Sequence, residues 1–155
     1  MMVKRRNAAC ISSFFLTYKK VIGWCCHMKV NKVHHIAIIC SNYQISKTFY
    51  VDILGFKPIR EVFREERNSY KLDLMVNDVY QLELFSFPNP KKRPSYPEAA
   101  GLRHIAFEVD GIAETVSYLQ SQSIEVEDIR RDEFTDKRFT FFADPDGLPI
   151  EIYEK

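Results

Sequence analysis

The sequence predicts an α+β fold made of two tandem βαβββ modules, and three observations carry that expectation. The order strand, helix, strand, strand, strand reads twice along the chain. A tetrapeptide recurs, His35-Ile-Ala-Ile answering His104-Ile-Ala-Phe at an offset of 69 residues. Between the copies, segment 88–101 holds four of the seven prolines, a density that no sheet interior accepts. With 155 residues, 46% hydrophobic and 28% charged, the chain has globular composition and a length suited to one domain. That domain is expected over 29–155, as module one (30–88), the linker (88–101) and module two (102–155).

In module one, residues 33–40 are rich in Ile and Val and read as a strand. Ser41 with Gln44 three residues later has the spacing of a capping box, opening a helix through Ile45, Phe49 and Ile53 that stops at Gly55. Three strands follow near 57–63, 70–76 and 79–87, the last two joined tightly at Asn77 and Asp78. Module two repeats the order: a strand over 102–109, a helix from Asp110 or Gly111 through Ile112, Val116 and Leu119, then strands near 125–130, 138–143 and 148–153. Asp144, Pro145, Asp146 and Gly147 form the turn between the final pair.

The first 28 residues differ from the rest. They carry five basic residues and no acid, which leaves 17 basic against 21 acidic residues, a net of −4, on the remainder. An acidic body lacks the clustered Lys and Arg that supply most affinity for phosphate backbones, so no nucleic-acid partner is expected. The apolar run 7–18 is too short to span a bilayer and is interrupted by Ser12 and Ser13, so no membrane partner is expected either. No small-residue cleavage site follows it, and Trp24 before Cys25 spoils a lipoprotein reading; residues 1–28 are expected to be a disordered extension or to precede a natural start at Met28. Three of the four cysteines (Cys10, Cys25, Cys26) lie in that extension and only Cys40 outside it. No disulfide framework or paired-Cys zinc site can be drawn, and a reducing, cytoplasmic location is expected.

Each module contributes one His on its first strand and one Glu on its last, spaced 48 residues apart for His35 and Glu83 and 47 for His104 and Glu151. Strand alternation puts His35 on one face with Ala37 and Ile39 while Ile36 and Ile38 turn toward the helix. Leu82 and Leu84 flank Glu83, and Ile150 and Ile152 flank Glu151. A carboxylate between aliphatic neighbours on a central strand is costly unless its face meets a cation or water. Singly, such residues are usually satisfied by hydrogen bonds. At four symmetry-related positions they make an N2O2 set suited to Zn, Ni, Co, Mn or Fe(II).

His35-Ile-Ala-Ile, Phe49-Tyr50, Leu54-Gly55-Phe56, Leu82-Glu83-Leu84, His104-Ile-Ala-Phe-Glu-Val-Asp110 and Asp144-Pro-Asp-Gly-Leu-Pro-Ile-Glu151 resemble the vicinal oxygen chelate superfamily, in particular its glyoxalase I-like branch. The resemblance spans residues 30–155 in family order and spacing. It implies paired modules forming a curved mixed sheet around a divalent metal, with His35, Glu83, His104 and Glu151 as ligands, a small-molecule substrate and a homodimer. Members that merely sequester drugs typically lack these ligands. Fosfomycin-resistance and ring-cleaving members generally use His, His and Glu, so Glu83 tilts the likeness toward glyoxalase and epimerase types. The implied chemistry is that of a lyase or isomerase: a substrate with two neighbouring oxygens chelates the ion, and an oxyanion is stabilised as a proton leaves the adjacent carbon. Glu151 is the first choice of base and Glu83 the second. Methylmalonyl-CoA epimerase-like and fosfomycin-resistance-like enzymes, and a non-catalytic drug- or metabolite-binding module, stand as alternatives. No glutathione-binding set is identified.

Among other residues, alternation turns His34 to the face opposite His35, as a packed or surface histidine. Arg64, Glu65, Glu66 and Arg67 read as a solvated loop that could border the pocket, with Glu65 and Glu66 as weaker base candidates by likeness to epimerases. Tyr70, Phe85, Phe87 and Arg138 could shape a pocket, although strand aromatics ordinarily sit in the core. Lys91, Lys92 and Arg93 either attract an anionic substrate tail or keep the linker solvated.

Overall fold

The computed structural model describes residues 28–94 and 98–155. The expectations for residues 1–27 lie outside the described residues, as do Ser95, Tyr96 and Pro97 of the linker. Residues 33–155 form one compact unit, distinct from residues 1–32.

Within that unit each module is a four-stranded mixed sheet. Strands β1 (Ile36–Cys40), β2 (Lys57–Arg64), β3 (Ser69–Val76) and β4 (Val79–Ser86) make the first, in the order β1-β4-β3-β2. Strands β5 (Ile105–Val109), β6 (Arg130–Arg131), β7 (Arg138–Ala143) and β8 (Pro149–Glu154) make the second, in the order β5-β8-β7-β6. β1 pairs parallel to β4, and β5 parallel to β8; the other pairings are antiparallel. The parallel pairing explains the helix in each module, because a parallel connection needs a crossover and a hairpin cannot make one. The two expected βαβββ modules are thus present, each as a four-stranded mixed sheet and neither closed into a barrel.

Helix α1 (Tyr43–Thr48) begins one residue later than the capping box implied. Its cap is Asn42, whose side chain accepts from the Ile45 amide at 3.1 Å, while the Ser41 amide donates to Asp146 of module two at 2.9 Å. The helix widens into a π-helical turn, Phe49–Ile53, and ends at Gly55 with φ 73°, the left-handed geometry glycine adopts without cost. Asn77 and Asp78 both have positive φ (47° and 62°), as a type I′ hairpin requires. Helix α2 (Ile112–Ser121) starts from Gly111, as expected.

One expected element is largely replaced. Residues 125–130 do not run as a strand beside β7: the Glu127 amide bonds the Phe141 carbonyl at 2.9 Å, Val126 makes an isolated bridge to Phe142, and regular pairing is confined to β6. The Thr140 hydroxyl donates to the Glu127 carbonyl at 2.7 Å, a side-chain bond in place of a ladder bond.

The core is shared by both modules. Ile38, Leu72, Leu74, Leu82 and Leu84 from the first sheet and Ile105, Phe142, Ile150 and Ile152 from the second are buried in one cluster with Phe49, Tyr50 and Ile112. Phe49 lies against Phe142, and the fully buried Tyr50 donates its hydroxyl to Asp144 Oδ2 at 2.9 Å. Among the described residues no helix is long and apolar enough to cross a membrane.

Candidate metal centre

The core-facing leucines and isoleucines decide where the acids point. Because Leu82 and Leu84 are buried, strand alternation forces Glu83 onto the other face; Ile150 and Ile152 do the same for Glu151. Register then places the partners. Ala37 stands opposite Glu83 and Ala106 opposite Glu151, so a small side chain beside each acid leaves room for the histidine two residues earlier. His35 Nε2 lies 3.8 Å from Glu83 Oε2, and His104 Nε2 lies 3.0 Å from Glu151 Oε2. The histidines keep 40% and 34% of their side-chain surface exposed against 10% and 14% for the glutamates, so each pair is open to solution from the imidazole side.

The four expected ligands are therefore brought together as two His–Glu pairs. Among the described residues no group of three or more His, Cys, Asp or Glu side chains gathers as a ligating cluster. Each pair nevertheless suits a cation. Two ligand atoms about 2.1 Å from a common ion and subtending about 90–109° stand roughly 3.0–3.4 Å apart. The His104–Glu151 separation falls in that window, and the His35–Glu83 separation needs to close by a few tenths of an ångström.

The surroundings of the two pairs differ. Opposite Glu83 on β3 stands Asp73, and Lys71 bridges them, its Nζ 2.7 Å from Glu83 Oε1 and 2.8 Å from Asp73 Oδ1. Arg60 closes on Asp73 Oδ2 through Nε at 3.0 Å and Nη2 at 2.8 Å. Burial acts to raise the Asp73 carboxyl, yet the Lys71 and Arg60 bonds outweigh it and hold the group below its ordinary value. Burial likewise opposes the charge on Lys71, and its two carboxylate partners carry it above the ordinary lysine value. Opposite Glu151, by contrast, stands Phe141, whose ring meets His104 edge-on at 5.3 Å. One glutamate is fixed by an ammonium; the other sits beside an aromatic ring.

Two sequence expectations change here. His34 does not turn away from His35: their Nδ1 atoms are 2.8 Å apart and their rings meet at 84°. Both residues precede β1, so the alternation used to separate them does not apply. The contact occupies His35 Nδ1 and directs Nε2 toward Glu83, as an outer hydrogen bond typically does for a metal-ligating histidine. Of the basic linker run, Arg93 is bonded to the Leu102 and Arg103 carbonyls and so ties the linker to the residues just before His104.

Lys71, Asp73 and Arg60 were not singled out by the sequence. Their signal was the alternation of Ser69, Lys71 and Asp73 with Tyr70, Leu72 and Leu74, which puts the charges on the face that carries Glu83. Among the expected pocket aromatics, Phe85 and Phe87 share that face and stack at 6.2 Å, whereas Tyr70 stacks on Tyr43 of α1 at 4.4 Å, on the helix side. Arg138 is engaged by Glu154, whose carboxyl it pulls down to about 2.

The family model that matches residues 32–152 is described as Glyoxalase/Bleomycin resistance protein/Dioxygenase superfamily. The chain is 58% identical over 128 residues to the uncharacterized protein YwkD of Bacillus subtilis, covering 83% of this chain and 100% of that one. It is 26% identical over 127 residues to Glyoxylase I 4 of Arabidopsis thaliana, covering 81% of this chain and 71% of the relative. A crystal structure of a glyoxalase family protein from Enterococcus faecalis superposes with a TM-score of 0.74 at 52% identity, over 79% of this chain and 97% of that one.

Proposed function

The chain belongs to the Glyoxalase/Bleomycin resistance protein/Dioxygenase superfamily, and from that premise we propose that it is a divalent-metal-dependent enzyme of the glyoxalase I type, a lyase or isomerase acting on a small substrate with two neighbouring oxygens. The observation that carries the reading is the pair of His–Glu contacts at register-equivalent positions, His35 with Glu83 and His104 with Glu151. Two imidazoles and two carboxylates suit Zn, Ni, Co, Mn or Fe(II), and these four residues would hold the ion. A bound ion would supply Lewis-acid polarisation of the substrate's two oxygens.

The chain's own residues divide the remaining work. Lys71 holds Glu83 in place through Oε1, so Glu83 serves as a fixed anion. Glu151 has no cation on it among the described residues, its contact being His104, and Phe141 lines its flank. A carboxylate that no ammonium clamps is free to move onto a substrate proton, which favours Glu151 as the base that takes the proton from the carbon next to the substrate carbonyl and returns it to the neighbouring atom. The Phe141 and Phe139 rings, 6.0 Å apart, line that side with apolar surface. We place the protein in the cytoplasm, where its buried free thiol, Cys40, stays reduced.

The protein acts as a homodimer in this reading, and whether the His35–Glu83 and His104–Glu151 pairs meet within one chain or across two copies is decided by complementation. Metal analysis of purified protein should find about one ion per chain, lost in H104A. Screening glyoxal–thiol adducts, acyl-CoA epimers and fosfomycin then identifies the reaction. E151Q should abolish turnover while keeping substrate binding; full activity in E151Q removes Glu151 from the role. Mixing H35A with H104A should restore metal binding if the site is shared between copies. Failure of the mixture, with wild-type uptake intact, assigns all four donors to one chain.

A further inference from the structure

The face that carries Glu83 continues away from it along the strands. Register sets it out in rows: Ala37, Glu83, Asp73 and Arg60, then Ile39, Phe85, Lys71 and Val62, with Ser69 and Arg64 one row further. Arg64 is half-buried, and its guanidinium lies 4.7 Å from the Phe85 ring centre and 5.4 Å from that of Phe87. Its polar bonds go to one neutral atom, Ser69 Oγ, from Nε at 3.0 Å and Nη2 at 2.6 Å. Among the described residues no carboxylate pairs with it; the neighbouring Glu65 and Glu66 are exposed on the following turn. The Lys71 ammonium also lies over the Phe85 ring, 5.8 Å from its centre, and is paired with Glu83 and Asp73.

The second module supplies a control. There Arg130 stacks in the same manner, 5.0 Å from Phe139 and 5.4 Å from Phe141, but it is neutralised by Glu127 at 2.7 Å. Among the described residues Arg64 is the ring-stacked arginine that pairs with no carboxylate. With Nε and one Nη2 hydrogen on Ser69, the guanidinium over these rings keeps its Nη1/Nη2 edge for a carboxylate or phosphate, which a guanidinium receives through two parallel bonds.

We propose that Arg64 binds an anionic group, a carboxylate or phosphate oxyanion, at the end of the substrate remote from its two neighbouring oxygens. The placement of that other end rests on the metal reading of His35 and Glu83. Glu83 and Phe87 are four residues apart on one extended stretch, and at about 3.3 Å per residue the anion sits roughly 7–13 Å from the chelating end. The substrate class is thus an elongated α-oxygenated carbonyl compound with a distal negative charge, the intervening chain lying over Phe85 and Phe87.

The test uses matched probes of equal length, 2-oxosuberate with a distal carboxylate and 2-oxooctanoate with a distal methyl, titrated calorimetrically into cobalt-loaded full-length protein. The wild type should prefer 2-oxosuberate by about tenfold, the order of one charge-assisted bond. In R64Q the preference should vanish, while affinity for 2-oxooctanoate and for cobalt stays unchanged; R64K should keep part of it. No preference in the wild type, or the same preference in R64Q, overturns the proposal. Inorganic phosphate and glutarate titrated into metal-free protein provide an independent arm, followed by the Arg64 Nε–H resonance. A saturable shift with either ion supports the anion site even where cobalt fails to bind, which would count against the metal reading alone; no shift with both overturns the site. The ion that shifts it at lower concentration separates phosphate esters from carboxylates.

Discussion

Tyr50→Phe isolates a single hydrogen bond between the modules. Tyr50 is fully buried, and its ring packs against Phe49 at 5.1 Å and Phe56 at 6.2 Å, contacts that phenylalanine keeps. What is lost is the O–H bond to Asp144 Oδ2 at 2.9 Å. Asp144 Oδ1 retains the Asp146 and Leu148 amides at 2.9 and 2.7 Å, but Oδ2 loses its partner within a residue only 5% exposed. Removing a bond to a charged, buried acceptor costs about 1.5–3 kcal/mol, and an orphaned Oδ2 places the loss in the upper half. Urea unfolding at neutral pH should show a lower midpoint with an unchanged slope. Burial already pushes the Asp144 carboxyl up, with the Leu148 amide and the Tyr50 hydroxyl acting against it. Without the hydroxyl the carboxyl rises further, so the deficit should shrink as the medium is acidified toward its titration. A loss below about 0.5 kcal/mol, or one that is flat with pH, refutes the reasoning.

Three further outcomes follow from the same geometry. His34→Phe removes the Nδ1 contact to His35, and metal affinity measured against a chromophoric chelator should fall by about tenfold or more with the unfolding midpoint little changed. Asp73 has a carboxyl held below its unfolded value, so the stability it contributes is present above about pH 3.8 and lost as pH falls through the folded value. Asp73→Asn should therefore cost about 2–4 kcal/mol at neutral pH and flatten the acid limb of a stability profile, because it leaves Lys71 and Arg60 without their shared anion. Gly147, with φ 79°, should lose about 1–2 kcal/mol on replacement by alanine, read from the thermal midpoint, since nothing crowds its Cβ position and the backbone alone resists.

Local chemistry explains what was readable from the chain. Alternation of Leu82, Glu83 and Leu84 or Ile150, Glu151 and Ile152 announces a strand with one buried face. The pairs Asn77–Asp78 and Asp146–Gly147 announce turns, because Asn77, Asp78 and Gly147 reach positive φ. The duplicated order followed from these signals, and so did the nomination of His35, Glu83, His104 and Glu151. Contacts set by register across strands were less legible. Nothing adjacent in sequence ties Lys71 to Glu83, or Arg64 to Phe85 and Phe87; those meetings depend on how β2, β3 and β4 slide into alignment. The failed strand at 125–130 has a similar cause, since Thr140 replaces a ladder bond from the neighbouring strand. His34 was misplaced because a strand's alternation was extended to residues that precede it.

The amino-acid order by itself determined the two-module plan, the apolar face of each sheet and the four residues nominated to meet a cation, because turn chemistry and period-two burial act within a few residues. Only the tertiary structure decided that one glutamate is clasped by Lys71 and the other lies against Phe141, and that Arg64 stacks on Phe85 with no carboxylate partner among the described residues. Those differences arise from cross-strand register, a long-range property in which residues far apart in the chain become neighbours about 5 Å apart.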